Sequence, residues 1–297
     1  MEDTFRRNIR YLRISVTDRC NLRCKYCLPE DVEFYPQEHI LTYDEIYRLA
    51  RIFAVLGVDT IRITGGEPLV RRDCVDLIGD IKKLPGIQKV RITTNGVYLP
   101  ENIDRLASMG LDGINISLDT LDPVLFKEMT GYDKFDKVWQ GIMGALEHNI
   151  KVKINCVLVK GMNEHEIMPL TKLAEKYPID VRFIELMPIE TACASNQLKG
   201  VHADQVMDII RYTYQDVVAD SEERGLGPAK YFKSPTMKGS VGFIDPMSHG
   251  FCANCNRLRL TSEGFLKLCL YHEDGTNLKD LLRNGASDQS IELAIIE

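Results

Sequence analysis

Apolar positions along this chain follow two alternating periods. Runs in which Ile, Val, Thr and Phe stand close together read as strands: "YLRISV" (11–16), "TIRITG" (60–65), "KVRITTN" (89–95), "GINISLD" (113–119), "KVKINCVLV" (151–159) and "DVRFIEL" (180–186). Between them, stretches at 42–57, 72–84, 101–109, 122–148 and 163–176 carry apolar residues at helical spacing. The first is marked at both ends: Thr42 with Glu45 three residues on forms a capping box, and Gly57 is a stop. Strand–helix alternation predicts a parallel sheet with right-handed crossovers, either an open doubly wound sheet or a barrel, with active groups at the C-terminal ends of the strands. Near residue 190 the rhythm breaks. One helix near 202–211 leads into a Gly-, Pro- and Ser-rich stretch that reads as short antiparallel hairpins. Residues 1–190 are therefore assigned to the strand–helix domain and 191–297 to a smaller C-terminal module.

Three of the predicted strands break their own pattern. Arg13, Arg62 and Lys153 each sit among β-branched residues, where a charge is costly unless it meets a partner. A solvated strand face would explain any one of them, but three strands sharing the feature suggest cations converging on a common interior. Arg182 on the sixth strand is a further candidate. The formal net charge of −6 argues against broad nucleic-acid or anionic-membrane binding, so an acidic small molecule held in a local basic pocket is the expected anion. No segment approaches the roughly 20 apolar residues of a membrane span, and a cytoplasmic protein is expected.

The cysteines number nine, an odd count in a chain long enough to be stabilised by its core, which points to metal or redox chemistry and away from disulfides. Six form two triads, Cys20-x3-Cys24-x2-Cys27 just after the first strand and Cys252-x2-Cys255-x13-Cys269 in the second module. Cys74, Cys156 and Cys193 read as small buried apolar residues. Thiolates at these spacings suit zinc or an iron–sulfur cluster. A closed zinc site needs four ligands, which His249 or His272 could complete in the second triad and only a distant residue in the first. Three thiolates on a 4Fe-4S cube instead leave one iron open to a ligand.

"CNLRCKYC" (20–27) resembles the signature of the radical S-adenosylmethionine enzymes, and "TGGEP" (64–68) resembles their motif for the methionine amine. In this reading Gly65 and Gly66 let main chain approach the ligand and Glu67 supplies a carboxylate for its ammonium. "IRITGGEPLVRRD", "NISLDTLDP", "RFIELMP", "GPAKYF", "GFIDPMS" and "FCANCNRLRLTSEGFLKLCL" narrow the resemblance to the GTP 3′,8-cyclase family, from about residue 3 to about residue 281.

That resemblance implies an incomplete (β/α)6-type TIM barrel with a C-terminal module, two 4Fe-4S clusters, and S-adenosylmethionine cleaved to a 5′-deoxyadenosyl radical that acts on GTP. Cys20, Cys24 and Cys27 would hold the first cluster and Cys252, Cys255 and Cys269 the second. Tyr26, Gly66, Ser117 and Met187 would meet S-adenosylmethionine. Arg13, Arg62, Thr93 and Lys153 would meet the triphosphate and ribose, and Arg257, Leu258 and Arg259 of "NRLRL" would meet GTP beside the second cluster, unless the two arginines merely balance its charge. The lyase is expected to need an electron donor, to supply a downstream cyclic pyranopterin monophosphate synthase, and to form a homodimer. Another radical enzyme with an auxiliary cluster is the alternative. The family's tail ends in two glycines, whereas this chain stops at "SIELAIIE", where Ile291, Ala294 and Ile295 read as an unfinished amphipathic helix. The module is thus read as truncated, with ligand binding expected to persist and a catalytically impaired form as a second alternative.

Overall fold

The computed structural model describes residues 1–3, 6–28, 31–187, 198–222, 224–250, 252 and 255–296. The six predicted strands are present: β1 (Tyr11–Ser15), β2 (Thr60–Thr64), β3 (Lys89–Thr94), β4 (Ile114–Ser117), β5 (Val152–Leu158) and β6 (Ile179–Glu185). They pair in sequence order, all parallel. The crossovers carry α1 (Tyr43–Val55), α2 (Cys74–Lys82), α3 (Leu99–Ser108), α4 (Pro123–Thr130), α5 (Phe135–Glu147) and α6 (Ile167–Lys176). The Thr42 capping box forms as read, with Glu45 N–H on the Thr42 hydroxyl and Thr42 N–H on the Glu45 carboxylate. The long helical stretch 122–148 is two helices, because Gly131 adopts φ +80° and ends the first.

The Gly- and Pro-rich stretch departs most from expectation. Its hairpins exist: β7 (Val218–Ala219) and β8 (Lys230–Lys233) are antiparallel, as are β8 and β9 (Ser240–Ile244). Further on, β10 (Arg257–Leu260), β11 (Phe265–Lys267) and β12 (Gly275–Asn277) also form antiparallel pairs. However, β9 joins β6 in parallel and β10 joins β1 in parallel. The C-terminal module therefore extends both edges of the six-strand series into one open sheet of order β12-β11-β10-β1-β2-β3-β4-β5-β6-β9-β8-β7. Three helices complete the described chain, α7 (Ala203–Thr213), α8 (Leu278–Arg283) and α9 (Asp288–Ile296). The expected terminal helix is α9, which buries Ile291 and Ile295.

Alternation along the strands gives each sheet face its character. Ile61, Ile63, Ile92, Ile114, Ile116 and Ile154 are fully buried in the helix-side core, each contributing roughly 1.5–3 kcal/mol of burial. The residues between them, Arg62, Arg91, Asn115 and Lys153, line a cavity on the other face. Cys74 and Cys156 are buried as read, and Cys193 lies outside the described residues. No helix is long and apolar enough to cross a membrane among the described residues.

Candidate active site

The chain leaving β1 carries the first triad, and the turn after β2 holds that chain in place. Gly66 N–H donates to Thr17 O at 2.8 Å and Glu67 N–H to Arg19 O at 2.8 Å. A Cβ on Gly65 would lie 2.7 Å from Thr17 O, and one on Gly66 would lie 2.5 Å from the carbonyl oxygens of Asp18 and Arg19. The two glycines thus serve a main-chain approach to the segment entering Cys20, a reason the sequence reading assigned to a ligand. Glu67 is wholly buried, and its carboxylate accepts from Leu69 N–H (3.0 Å), the Thr94 hydroxyl (2.7 Å) and Asn95 N–H (2.6 Å). It ties the end of β2 to the end of β3, so the ammonium contact expected of its side chain has no exposed oxygen to use. Burial pushes its carboxyl up to about 7 despite those three donors.

Cys20, Cys24 and Cys27 are free thiols, and Cys20 Sγ receives Leu22 N–H at 3.5 Å and Asn95 Nδ2 at 3.8 Å. Burial raises the Cys24 thiol, with Asp119, Cys27 and Cys20 adding to the effect. Among the described residues no three His, Cys, Asp or Glu converge to hold a single ion. A four-iron cluster presents a separate iron to each thiolate, and these three sulfur donors fit that group. Beside the triad is a recess of about 20 Å³ with Cys24, Tyr26, Ser117 and Asp119 in its wall. Tyr26 is fixed there by donating its hydroxyl to Asp119 Oδ2 at 2.7 Å. Of the residues expected to meet S-adenosylmethionine, Tyr26 and Ser117 come together at this recess, while Met187 lines the larger cavity.

That larger cavity, about 1150 Å³, is walled by Arg13, Arg62, Lys153, Arg257, Arg259 and the three cysteines of the second triad, together with further residues from β1 to β6, β8 and β9 and from the 224–228 loop. Strand register explains the gathering. Arg259 on β10, Arg13 on β1, Arg62 on β2 and Arg91 on β3 are consecutive partners across four strands. Like charges in one row oppose each other: burial first, then Arg259, holds Arg13 well below its usual value, and burial followed by Arg257 brings Arg259 down to about 10. Leu258 lies between the two arginines and is only 6% exposed, in the core on the opposite face, so no side-chain contact from it reaches the cavity. Thr93 accepts from Arg62 Nη1 at 3.4 Å and does not itself line the cavity.

Lys153 is already engaged. Its Nζ donates to Arg224 O (2.7 Å) and Tyr231 Oη (2.8 Å) and pairs with Asp180 Oδ2 (3.2 Å), matching all three ammonium protons. In contrast, Arg182 Nε and Nη2 and Arg91 Nε are buried without a partner. The strand-borne cations with fully buried, unanswered donor atoms thus include Arg182, a further candidate from the sequence, and Arg91, which it missed. The missed signal was present: Arg91 occupies the same place in "KVRITT" as Arg62 in "TIRIT". At the second triad, burial works against charge on Cys269, but main-chain N–H groups of Tyr271, His272 and Leu270 and the Arg259 guanidinium outweigh it and favour the thiolate. These donors fit a metal–sulfur group, and His249 is instead paired with Asp245 at 2.9 Å.

Residues 14–174 match the Radical SAM superfamily and residues 179–297 match Molybdenum Cofactor Synthesis C. Streptococcus suis SuiB bound to S-adenosylmethionine shares the fold, with a TM-score of 0.69 and 19% identity over 96% of this chain and 68% of that one. The chain is a radical S-adenosylmethionine protein, a class that works with an iron–sulfur cluster and S-adenosylmethionine. GTP 3′,8-cyclase of Clostridium perfringens (strain SM101 / Type A) is 46% identical over 98% of this chain and 90% of its own length. Molybdenum cofactor biosynthesis protein 1 of Homo sapiens is 43% identical over 98% of this chain and 46% of that protein. At that level of identity and coverage, the chain belongs to the GTP 3′,8-cyclase family.

Proposed function

We propose that this protein converts GTP to 3′,8-cyclo-7,8-dihydro-GTP, the first step of molybdenum cofactor biosynthesis. The observation that carries the reading is the in-register row Arg259–Arg13–Arg62, which starts beside the second cysteine triad inside a cavity large enough for a nucleotide. Like-charged guanidiniums side by side in that row oppose one another, and a tetra-anionic nucleotide offsets that cost on binding.

Cys20, Cys24 and Cys27 would hold the first cluster and Cys252, Cys255 and Cys269 a second. When bound, the first cluster and S-adenosylmethionine supply the one-electron chemistry that removes hydrogen from C3′ of the ribose, with electrons from an external donor. Tyr26, locked by Asp119, and Ser117 orient the adenosyl end, and Met187, on the wall of the larger cavity, meets S-adenosylmethionine from that side. Arg13, Arg62 and Arg182 hold the phosphates, with Lys153 joining when a phosphate oxygen replaces one of its present acceptors. Arg257 and Arg259 hold the guanine end against the second triad. The cavity limits water around the reacting ribose, and the product passes to a downstream synthase.

The test is anaerobic reconstitution with iron and sulfide, then dithionite, S-adenosylmethionine and GTP, followed by quantification of metals, 5′-deoxyadenosine and cyclised nucleotide. Roughly eight irons per chain, as two four-iron clusters require, with GTP-dependent 5′-deoxyadenosine and cyclised product, is the expected result. Zinc in place of iron, or deoxyadenosine formed with no dependence on GTP and no cyclised product, would overturn it.

A further inference from the structure

Arg91 lies at the end of the arginine row farthest from the second triad. Four strands set three spacings of about 4.8 Å between Arg259 and Arg91, roughly 14 Å in all, which suits the span of an extended nucleoside triphosphate. Its side chain lines the cavity, its Nε is buried without a partner, and no hydrogen bond or ion pair engages it among the described residues. The carboxylate with most influence on it, Asp112, is occupied by Lys82 Nζ and by Val90 N–H at 2.7 Å. Overhead, Gly225 adopts φ +116°, and a Cβ there would lie 2.5 Å from Arg91 Nη1, so a glycine is what lets the 224–228 loop pass over the guanidinium.

We propose that Arg91 is a specificity-determining anchor for the terminal phosphates of the substrate, selecting a triphosphate over the mono- and diphosphates. This rests on the cyclase reading, which places guanine at the second triad and therefore sends the phosphates along the row toward β3. A planar guanidinium presents paired N–H donors that match two phosphate oxygens, and such charge-assisted bonds depend on the number of phosphates present. Arg91 touches neither cysteine triad, so its removal leaves the cluster sites unaltered.

The experiment compares GTP, GDP and GMP binding to the reconstituted wild type, Arg91→Gln and Arg91→Lys, alongside thermal midpoints without nucleotide. Loss of a charged hydrogen bond worth about 1.5–3 kcal/mol predicts roughly ten- to a hundred-fold weaker GTP binding in Arg91→Gln. The loss should shrink through GDP to GMP and be partly recovered by Arg91→Lys. Because the guanidinium is unpaired, the nucleotide-free midpoint of Arg91→Gln should equal or exceed that of wild type. If wild type makes cyclised product while Arg91→Gln binds GTP equally well, the role of Arg91 falls and the cyclase reading stands. Equal losses for all three nucleotides with a lowered midpoint would make Arg91 a structural residue. A wild type that binds no guanine nucleotide would remove both readings together.

Discussion

Tyr11 stands at the start of β1 with the Arg62 guanidinium carbon 5.8 Å from its ring centre and Arg62 Nε donating to its hydroxyl. Burial alone would raise the phenol, but Arg62, Arg13 and Arg91 outweigh it and bring it down to about 8. A depressed acid stabilises the fold where it is ionised. Its contribution is complete above the ordinary value of 10.0 and is lost as pH falls through 8. The stability advantage of wild type over Tyr11→Phe should therefore grow between pH 8 and pH 10, measured by urea unfolding. A wild-type-minus-Tyr11→Phe ultraviolet titration should show one phenolate ionising near 8, moving upward when GTP neutralises the arginines. A difference titration centred at the ordinary tyrosine value would show that the guanidiniums do not act on it. Residue by residue, charge type was legible in the sequence and availability was not. Lys153 and Arg62 both stand among β-branched neighbours, but only the tertiary structure shows what engages them, Arg224, Asp180 and Tyr231 for Lys153 and Tyr11 and Thr93 for Arg62.

The "GGE" turn makes the same point for an element. Its position after a strand was readable, whereas its immediate purpose, to dock on residues 17–19, depends on strands β1 and β2 lying side by side. Gly66→Ala should destabilise the protein even without cluster or S-adenosylmethionine, because the added methyl meets two main-chain oxygens. Overpacking of this kind costs about 1–3 kcal/mol, and a fall in the urea midpoint of the metal-free protein would register it. An unchanged midpoint would return the glycine to a ligand-approach role. Leu258 is a second case: once "NRLRL" is a strand, period-two alternation sends Leu258 to the core and its two neighbours to the cavity.

Across the whole molecule, the C-terminal part completes the sheet that the N-terminal part begins. β10 covers the edge of β1, and α8 and α9 are bound to α1 through Arg283–Glu45 and Arg48–Asp288. A chain ending at residue 250 would expose the edge of β1 and lose the packing of Leu258, Leu260, Leu278 and Ile291, all at or below 6% exposure. It should aggregate, and any soluble fraction should lose amide-exchange protection along β1. Retained protection would show that β1 is held by β2 alone. The net charge of −6 coexists with a strongly cationic cavity because Asp274 is the one carboxylate among its described lining residues, so bulk charge points to an anionic ligand only when read together with the strand arginines.

By itself the sequence determined the strand–helix order, the capping box of α1, both cysteine triads and the family, since each depends on residues close in the chain or on spacing alone. Tertiary structure decided which cations await a ligand, why Gly65 and Gly66 lack side chains, and that strands from residues 240–260 join β6 and β1 in parallel. Those outcomes depend on pairings between residues 246 positions apart for β1 and β10 and 60 apart for β6 and β9, and on register across strands. No local pattern encodes which strand will lie alongside another, and a one-residue slip would turn every arginine of the row into the core.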